Sequence, residues 1–479
     1  ARLTMTDLSL LSATDLTQQY ASRTLTPVEV VDEVIHRIES ENPTLNALCW
    51  QDSAKARADA EASAARWKAG TPLSSIDGVP TTIKDIILTA GAPTLRGSRT
   101  VQTDQNWDEN APVAARLLRA GAIVVGKTTS PEFGWKGVTD CPLTGITRNP
   151  WAPDRTPGGS SGGASAAAAS GMGALHVGTD GGGSIRIPAG FTGIFGLKPS
   201  FGRVPAYPAS PFGTLSHIGP MTRTVRDAAC MLTIMSEGFS PEDSGDWYAL
   251  PRTRLDWETG LEDGVAGLKI AYSPTLGFDG VFVDPQISAQ VARAANVYAD
   301  LGAEVQEVSL DHPDPRDTFV TLWSAGAANL LKNASEDDLE KLDPGLRALC
   351  ERGRAHSMQD YLDAVSQREA FGQHMRRFHA TWDLVLCPCM PIPAFEAGSE
   401  VPARQTPEQA FRHWWDWTPF TYPFNLSQQP AAAVPFGTIM DDGVQLPTGF
   451  QLVGRMHDEA TVLRAARAFE AKHPFALPA

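Results

Sequence analysis

Apolar positions change their spacing along this chain, and each change predicts a different kind of element. Val30, Val31, Val34, Ile35 and Ile38 recur at helical intervals. Thr26-Pro27-Val28-Glu29 precedes them with a capping box and a proline at the first helical position. Asp52 to Lys68, rich in alanine and charge, reads as a second helix ended by Gly70 and Pro72. From Ile76 the texture breaks into short apolar runs set between Gly and Pro. Asp77-Gly78-Val79-Pro80-Thr81-Thr82-Ile83-Lys84-Asp85 predicts a turn and then a strand whose end carries a lysine. Ala111 to Ala120 predicts a helix closed by Gly121, and Ala122-Ile123-Val124-Val125 a buried strand. Leu268 to Tyr272 (strand), Pro285 to Leu301 (helix) and Glu304 to Leu310 (strand) form a βαβ pattern, and Thr318 to Ala380 is helical in texture. Alternation of this kind predicts an α/β fold, a parallel or mixed sheet covered by helices. There is no internal repeat and no Pro/Ser linker, so one domain over residues 1–479 is expected. Within it, helices occupy 1–70, a Gly/Ser-rich core 76–231, and a helical, βαβ and substrate-pocket region 260–479.

Composition narrows the function classes. At 479 residues and 42% hydrophobic content the chain can bury a sizeable core. A formal net charge of −15 argues against general affinity for nucleic acid or for an anionic membrane. The six cysteines are too sparse to read as a disulfide framework. No apolar run is long enough to span a bilayer. The first residues show no basic segment leading into an apolar stretch, so a cytoplasmic protein is expected.

Three short motifs are set in the wrong context for their usual chemistry. Gly121 to Thr128 satisfies the phosphate-loop pattern, but Ala122-Ile123-Val124-Val125 should be strand and Gly121 a helix cap. Gly158-Gly159-Ser160-Ser161-Gly162 fits a nucleophile-elbow pattern, yet loop rather than strand precedes it. Cys387-Pro388-Cys389 follows a buried strand, and no second Cys/His pair at zinc-ligand spacing accompanies it. Metal and cofactor are therefore not expected.

Two glycine clusters carry the stronger signal. Ser160 and Ser184 lie 24 positions apart, in Thr156-Pro157-Gly158-Gly159-Ser160-Ser161-Gly162-Gly163 and Thr179-Asp180-Gly181-Gly182-Gly183-Ser184-Ile185-Arg186. Glycine lets successive backbone N–H groups turn toward one point, which suits a developing oxyanion. A serine at the end of such a run can attack a carbonyl held there, given a base. None of the histidines is an evident partner. His176 sits in an apolar segment and His217 in a Thr-Leu-Ser-His-Ile loop, whereas Lys84, at the end of an apolar strand, fits a lysine kept neutral by desolvation.

With these residues in view, the chain resembles the amidase signature family. The match runs through Gly78-Val79-Pro80, Lys84-Asp85, Gly126-Lys127-Thr128, Pro131-Glu132-Phe133, Arg148-Asn149-Pro150-Trp151 and both glycine clusters. It continues through Gly196-Leu197-Lys198-Pro199 to Asn425-Leu426, Gln429-Pro430-Ala431 and Gly449 to Gly454. The resemblance implies a mixed, twisted central sheet with helices on both faces. It also implies a Ser-cis-Ser-Lys triad in which Ser184 is the nucleophile, Ser160 relays the proton after a cis Gly159–Ser160 peptide, and Lys84 is the base. The backbone N–H groups of Gly181, Gly182, Gly183 and Ser184 would form the oxyanion hole, where losing one donor typically costs about 2.7–4 kcal/mol. Ser161, Asp180 and Arg186 stand beside the triad, either orienting it or serving as ordinary cap and ion pair. Gly181 departs from the commoner Thr or Ser of the family, losing a hydroxyl but keeping the N–H.

The implied activity is hydrolysis of a C–N bond in amides, aryl amides, carbamates or ureas, with a small-molecule substrate, no nucleic-acid or membrane partner, and room for a homodimer. Trp135 is expected to border the acyl pocket. The aromatic stretch Trp414, Trp415, Trp417, Phe420, Tyr422 and Phe424 reads as core packing or as a substrate wall. The alternative within the family is the glutaminase subunit of a tRNA-dependent amidotransferase. That subunit typically carries Ser-Ser-Leu-Asp-Gln where this chain has Gly213-Thr214-Leu215-Ser216-His217.

Overall fold

A computed structural model describes residues 7–237 and 245–478. Its strands are β1 (Leu48–Trp50), β2 (Pro80–Lys84), β3 (Ile123–Thr128), β4 (Asp140–Cys141), β5 (Gly145–Ile146), β6 (Leu175–Asp180), β7 (Phe195–Lys198), β8 (His217–Thr222), β9 (Lys269–Tyr272), β10 (Glu304–Glu307), β11 (Leu384–Pro388), β12 (Ala431–Asp441) and β13 (Val444–Gly454). All but the small β4–β5 hairpin join one 11-stranded sheet in the order β1-β3-β2-β6-β8-β7-β12-β13-β11-β9-β10. Pairing is parallel for β3–β2–β6 and for β11–β9–β10, and antiparallel in between. The mixed sheet flanked by helices is the expected α/β architecture.

Strand side chains alternate between faces, and here both faces are covered. In β11, Leu384 and Leu386 join one hydrophobic core while Val385 and Cys387 join the other. In β12, Ala432 and Val434 face the first core and Ala431 and Ala433 the second. That double burial explains the unbroken apolar runs in the sequence. The first core is packed by α1 (Ala13–Ser22), α2 (Pro27–Leu45), α3 (Ser53–Ala69) and α4 (Pro112–Arg119). Helix α5 (Gly162–Ser170) contributes to both cores, and α6 (Arg186–Thr192) packs in the second. Helices α7 (Val225–Met235) and α8 (Pro285–Asp300) return to the first. The second is completed by α9 (Arg316–Leu330), α10 (Glu336–Lys341), α11 (Pro344–Arg354), α12 (Met358–Phe378) and α13 (Pro423–Leu426), and α14 (Glu459–Lys472) closes the first.

Local signals translate directly. Thr26 and Glu29 form the reciprocal capping box of α2, and Gly70 ends α3 at φ 75°. Strand β3 runs on through Gly126-Lys127-Thr128, so the phosphate-loop pattern lies in a strand. Lys127 Nζ donates to the Ile87 carbonyl (2.9 Å) and to Thr94 Oγ1 (2.6 Å) instead of facing an anion site. The β9–α8–β10 unit is present, but β10 stops at Glu307, short of the expected Leu310. It is an edge strand with Glu304, Gln306 and Glu307 exposed, a charged margin that discourages further pairing.

Two buried side chains fasten the N-terminal helices to the sheet layer. Asp227 accepts the N–H of Ala13 (2.8 Å) and of Thr14 (3.1 Å), supplying the acceptors that start α1. Arg223 donates to the carbonyls of Ala168 (2.9 Å), Gly173 (2.7 Å) and Leu11 (2.9 Å), clamping the end of α5 to the first segment. Asp227→Ala leaves those N–H groups without acceptors and is expected to lower unfolding free energy by about 1–3 kcal/mol. Denaturant titration measures it; an unchanged midpoint would mean that α1 is held by apolar contacts alone.

Candidate active site

Strand β2 ends on Lys84, and parallel pairing with β6 sets that end beside Thr179 and Asp180. The Lys84 side chain is fully buried, and its Nζ lies 2.6 Å from Ser160 Oγ, 2.9 Å from Ser161 Oγ and 2.8 Å from Thr179 Oγ1. Burial pushes the amine well below the ordinary lysine range, with Asp180 pulling weakly the other way. A neutral amine has two N–H bonds and one lone pair for these three hydroxyls. Ser161 gives its own proton to the Thr179 carbonyl (3.0 Å), so toward Lys84 it can only accept. The lone pair is therefore left to the proton of Ser160 or Thr179. Thr179, which no motif in the sequence singles out, is the residue that completes this arrangement. The peptide between Gly159 and Ser160 is cis. Gly159 packs its backbone onto Val138, where an added Cβ would lie 2.5 Å from the Val138 carbonyl.

The second glycine cluster turns the chain from β6 into α6. Asp180 and Arg186 face each other across it with no exposed side-chain surface. Arg186 Nε donates to Asp180 Oδ2 (3.0 Å) and Nη2 to Oδ1 (2.9 Å). The remaining guanidinium N–H groups reach the Thr421 carbonyl (2.9 Å), Gln451 Oε1 (2.7 Å) and Asn425 Oδ1 (2.7 Å), which uses the full donor set. Asp180 in turn accepts from the N–H of Gly183 (2.8 Å) and Ile185 (3.2 Å) and from Asn425 Nδ2 (2.8 Å). Burial alone would raise its carboxyl, but Arg186 holds it far below the usual carboxylate range. This geometry revises the expected oxyanion hole. The Gly183 N–H is engaged by Asp180, while those of Gly181, Gly182 and Ser184 have no hydrogen-bond partner among the described residues. The Gly182 carbonyl is fixed by Thr421 Oγ1 (2.7 Å). The Ser184 and Ser160 hydroxyls line one cleft without bonding to each other.

That cleft, about 860 Å³ including its open mouth, is walled by Ile86, Ile87, Phe133, Phe212, Ile218 and Trp323. An added Cβ on Gly181 would lie 2.7 Å from the Trp323 ring, so the glycine that departs from the family pattern makes room for an indole. Trp323 stacks on Phe212 (centroids 3.8 Å apart, planes 14°) and on Phe319 (5.5 Å, 22°). Trp135 does not line the cleft. Its ring packs where a Cβ on Gly345 would lie, and its carbonyl accepts from Trp323 Nε1 (3.0 Å), so it stands behind the wall. The preceding turn is responsible, since Phe133, at φ 52°, takes the cleft-facing place. Trp414, Trp415, Trp417, Phe420, Tyr422 and Phe424 are all buried in the second core and do not line the cleft either.

Histidine plays no part in this hydroxyl cluster. His176 Nδ1 meets Thr82 Oγ1 (2.8 Å), and His217, which lines the cleft, directs Nδ1 at the Leu215 carbonyl (2.8 Å). Cys387 and Cys389 are buried free thiols. Gln451 Nε2 donates to Cys387 Sγ (3.3 Å), and burial pushes that thiol up to about 12. Among the described residues no cluster of His, Cys, Asp and Glu is arranged to hold a metal ion. No helix among them is long and apolar enough to cross a membrane.

A buried lysine among hydroxyls, next to a glycine turn with free N–H groups, is an arrangement that can support acyl transfer to a serine. The chain belongs to the amidase signature family: the Amidase family model matches residues 29–463. It is 34% identical to an acylamidase of Rhodococcus erythropolis over 477 residues, covering 99% of this chain and 98% of that protein. It is equally 34% identical over 493 residues to the A-type subunit of the glutamyl-tRNA(Gln) amidotransferase of Chloroflexus aurantiacus (strain ATCC 29366 / DSM 635 / J-10-fl), with 97% of each covered. The crystal structure of a bacterial aryl acylamidase of the amidase signature family superposes with a TM-score of 0.88 at 30% identity, covering 98% of this chain and 97% of that one. The protein is thus an amidohydrolase acting on C–N bonds.

The buried pair sets a stability expectation. Asp180→Asn leaves the Arg186 charge without its partner and should destabilise the fold by about 3–5 kcal/mol. Because the folded carboxyl titrates below the unfolded one, its contribution is complete above about pH 4 and lost only as pH falls through the strongly acid range. Ser184→Ala, which removes a hydroxyl facing the cleft, should leave the denaturation midpoint in place. Equal midpoints for the two variants would sink the assignment of Asp180–Arg186 as the anchor.

Proposed function

We propose that the protein is a stand-alone acylamidase that hydrolyses small amides, aryl amides foremost, through an acyl-enzyme on Ser184. The observation that carries this reading is the buried, desolvated Lys84 within hydrogen-bond distance of Ser160, in the same cleft as an unpaired Ser184 hydroxyl. Ser184 Oγ attacks the carbonyl carbon. Its proton passes to Ser160 as Ser160 gives its own to Lys84, and the resulting oxyanion is held by the N–H groups of Gly181, Gly182 and Ser184. Collapse breaks the C–N bond. The amine leaves with a proton from Ser160, which Lys84 replaces. Water then attacks the acyl-enzyme, the proton returning by the same route to restore Ser184. The Ser184–Ser160 hydrogen bond is the link that must tighten, as catalytic hydrogen bonds commonly do when substrate is bound.

The apolar cleft supports an aryl or alkyl amide, in line with the acylamidase relatives. One sheet running from residue 48 to residue 454 supports reading the chain as a single domain. The alternative, a glutaminase subunit, rests on the equally similar amidotransferase relatives and would show glutamine hydrolysis dependent on partner chains.

Ser184→Ala should reduce turnover of a chromogenic anilide by at least about a thousandfold, and Lys84→Ala by a comparable factor. Labelling by a fluorophosphonate should map to Ser184. Since the base works unprotonated and burial lowers its pKa, kcat/KM should rise with pH and be level at neutrality. An acid limb lying near the ordinary lysine value, or anilide turnover retained in Ser184→Ala, would refute the triad.

A further inference from the structure

One charged side chain in the cleft has no role in this chemistry. Arg96 lines the cavity together with Ser160 and Ser184, and no acidic residue does. Its guanidinium is half-buried and makes no hydrogen bond or ion pair with any described residue. Asp85, the one acid whose charge acts on it, is committed elsewhere. Asp85 faces Lys127 at 3.7 Å, and the backbone N–H groups of Gly97, Leu95 and Arg96 stabilise its carboxylate. The loop itself is built to present this side chain. Arg96 has φ 56°, a left-handed conformation uncommon for a bulky residue, and the next residue, Gly97, has φ 66°. Gly97 lies so close to the Ser130 carbonyl that a Cβ there would sit 2.7 Å away. The Arg96 carbonyl accepts from Phe133 N–H (2.7 Å), and the neighbouring Gly134 packs against Ser160 Oγ. The loop is thereby tied to the relay serine.

An unpaired guanidinium in a largely apolar cleft favours a planar anion that meets it with two oxygens. The chain as a whole carries −15, so attraction for an anion has to be local. We propose that Arg96 is a specificity residue that binds a carboxylate on the substrate, making the preferred substrates amides that carry an acid group on the acyl or amine portion. This inference rests on the amide-hydrolase reading of the same cleft.

The test uses three matched anilides on the full chain: neutral butyryl anilide, glutaryl anilide with a carboxylate on the acyl side, and butyryl 4-aminobenzoate with one on the amine side. Calorimetry with Ser184→Ala protein separates binding from turnover. At least one acid-bearing probe should bind about tenfold or more tighter than the neutral one. Arg96→Gln should abolish that preference and Arg96→Lys retain part of it. Raising ionic strength on protein with Arg96 intact should weaken the acidic probe selectively, a readout that needs no variant at this position. The proposal is overturned if neither acid is preferred, or if the preference survives Arg96→Gln. If the acid preference is present in binding but otherwise wild-type protein turns over none of the three, the hydrolase reading fails and the Arg96 assignment stands. Turnover of the neutral anilide without any acid preference overturns the Arg96 assignment and leaves the hydrolase reading standing.

Discussion

The glycine turn beside the cleft depends on one buried ion pair. Two charges removed from water as completely as Asp180 and Arg186 are destabilising unless each lone pair and each N–H finds a partner. Here they do, and the partners come from separate parts of the chain: Thr421 and Asn425 from the segment around α13, Gln451 from β13, Gly183 and Ile185 from the turn itself. The pair therefore does more than neutralise itself. It draws the C-terminal strands and the aromatic segment onto the glycine turn and fixes which N–H groups point inward to the carboxylate and which remain free.

The same pair bears on the lysine. Asp180 is the one nearby charge acting to keep Lys84 protonated, and it is outweighed by burial. Arg186 binds both oxygens of that carboxylate. Lys84 is left among three neutral hydroxyls, where the uncharged amine is the favourable form. A neutral amine here thus follows from a strand that ends inside the protein, where burial outweighs the one nearby carboxylate.

Much of this is legible locally. Capping boxes, glycine stops and the apolar runs of β2, β3, β9 and β11 depend on neighbours in sequence, so they can be read one segment at a time. Lys84, Ser160 and Ser184 are readable because strand-end lysine and glycine-set serines are themselves local patterns, and the family resemblance joins them. What is not legible depends on contacts across the chain. Nothing near residue 183 shows that its N–H turns back to Asp180, and nothing near Trp323 shows that its ring fills the space left by Gly181. Trp135 is misplaced by its sequence for the same reason: adjacency to Phe133 suggests a shared wall, but the turn at Phe133 sends the two rings to different places. Thr179 escapes notice because a threonine in a strand is ordinary until a buried amine is set against it.

These contrasts divide the site into a part that the fold holds and a part that it leaves open. Lys84 and Thr179 sit on β2 and β6, and Ser160 and Ser184 on the turns that lead into α5 and α6, held by backbone approaches too close for any Cβ, as at Gly159 against Val138 and Gly163 against Thr129. The walls come from loops and from a distant helix: Phe133, Phe212 and Trp323. A change at Gly159 must displace main chain, whereas a change at Trp323 or Phe212 only exchanges one ring for another. A Thr or Ser at 181 and an indole at 323 compete for one volume, so a side chain added at 181 requires the ring at 323 to shift or shrink. The walls of such a cleft are free to vary while the glycine turn that carries Ser184 stays where the buried ion pair puts it.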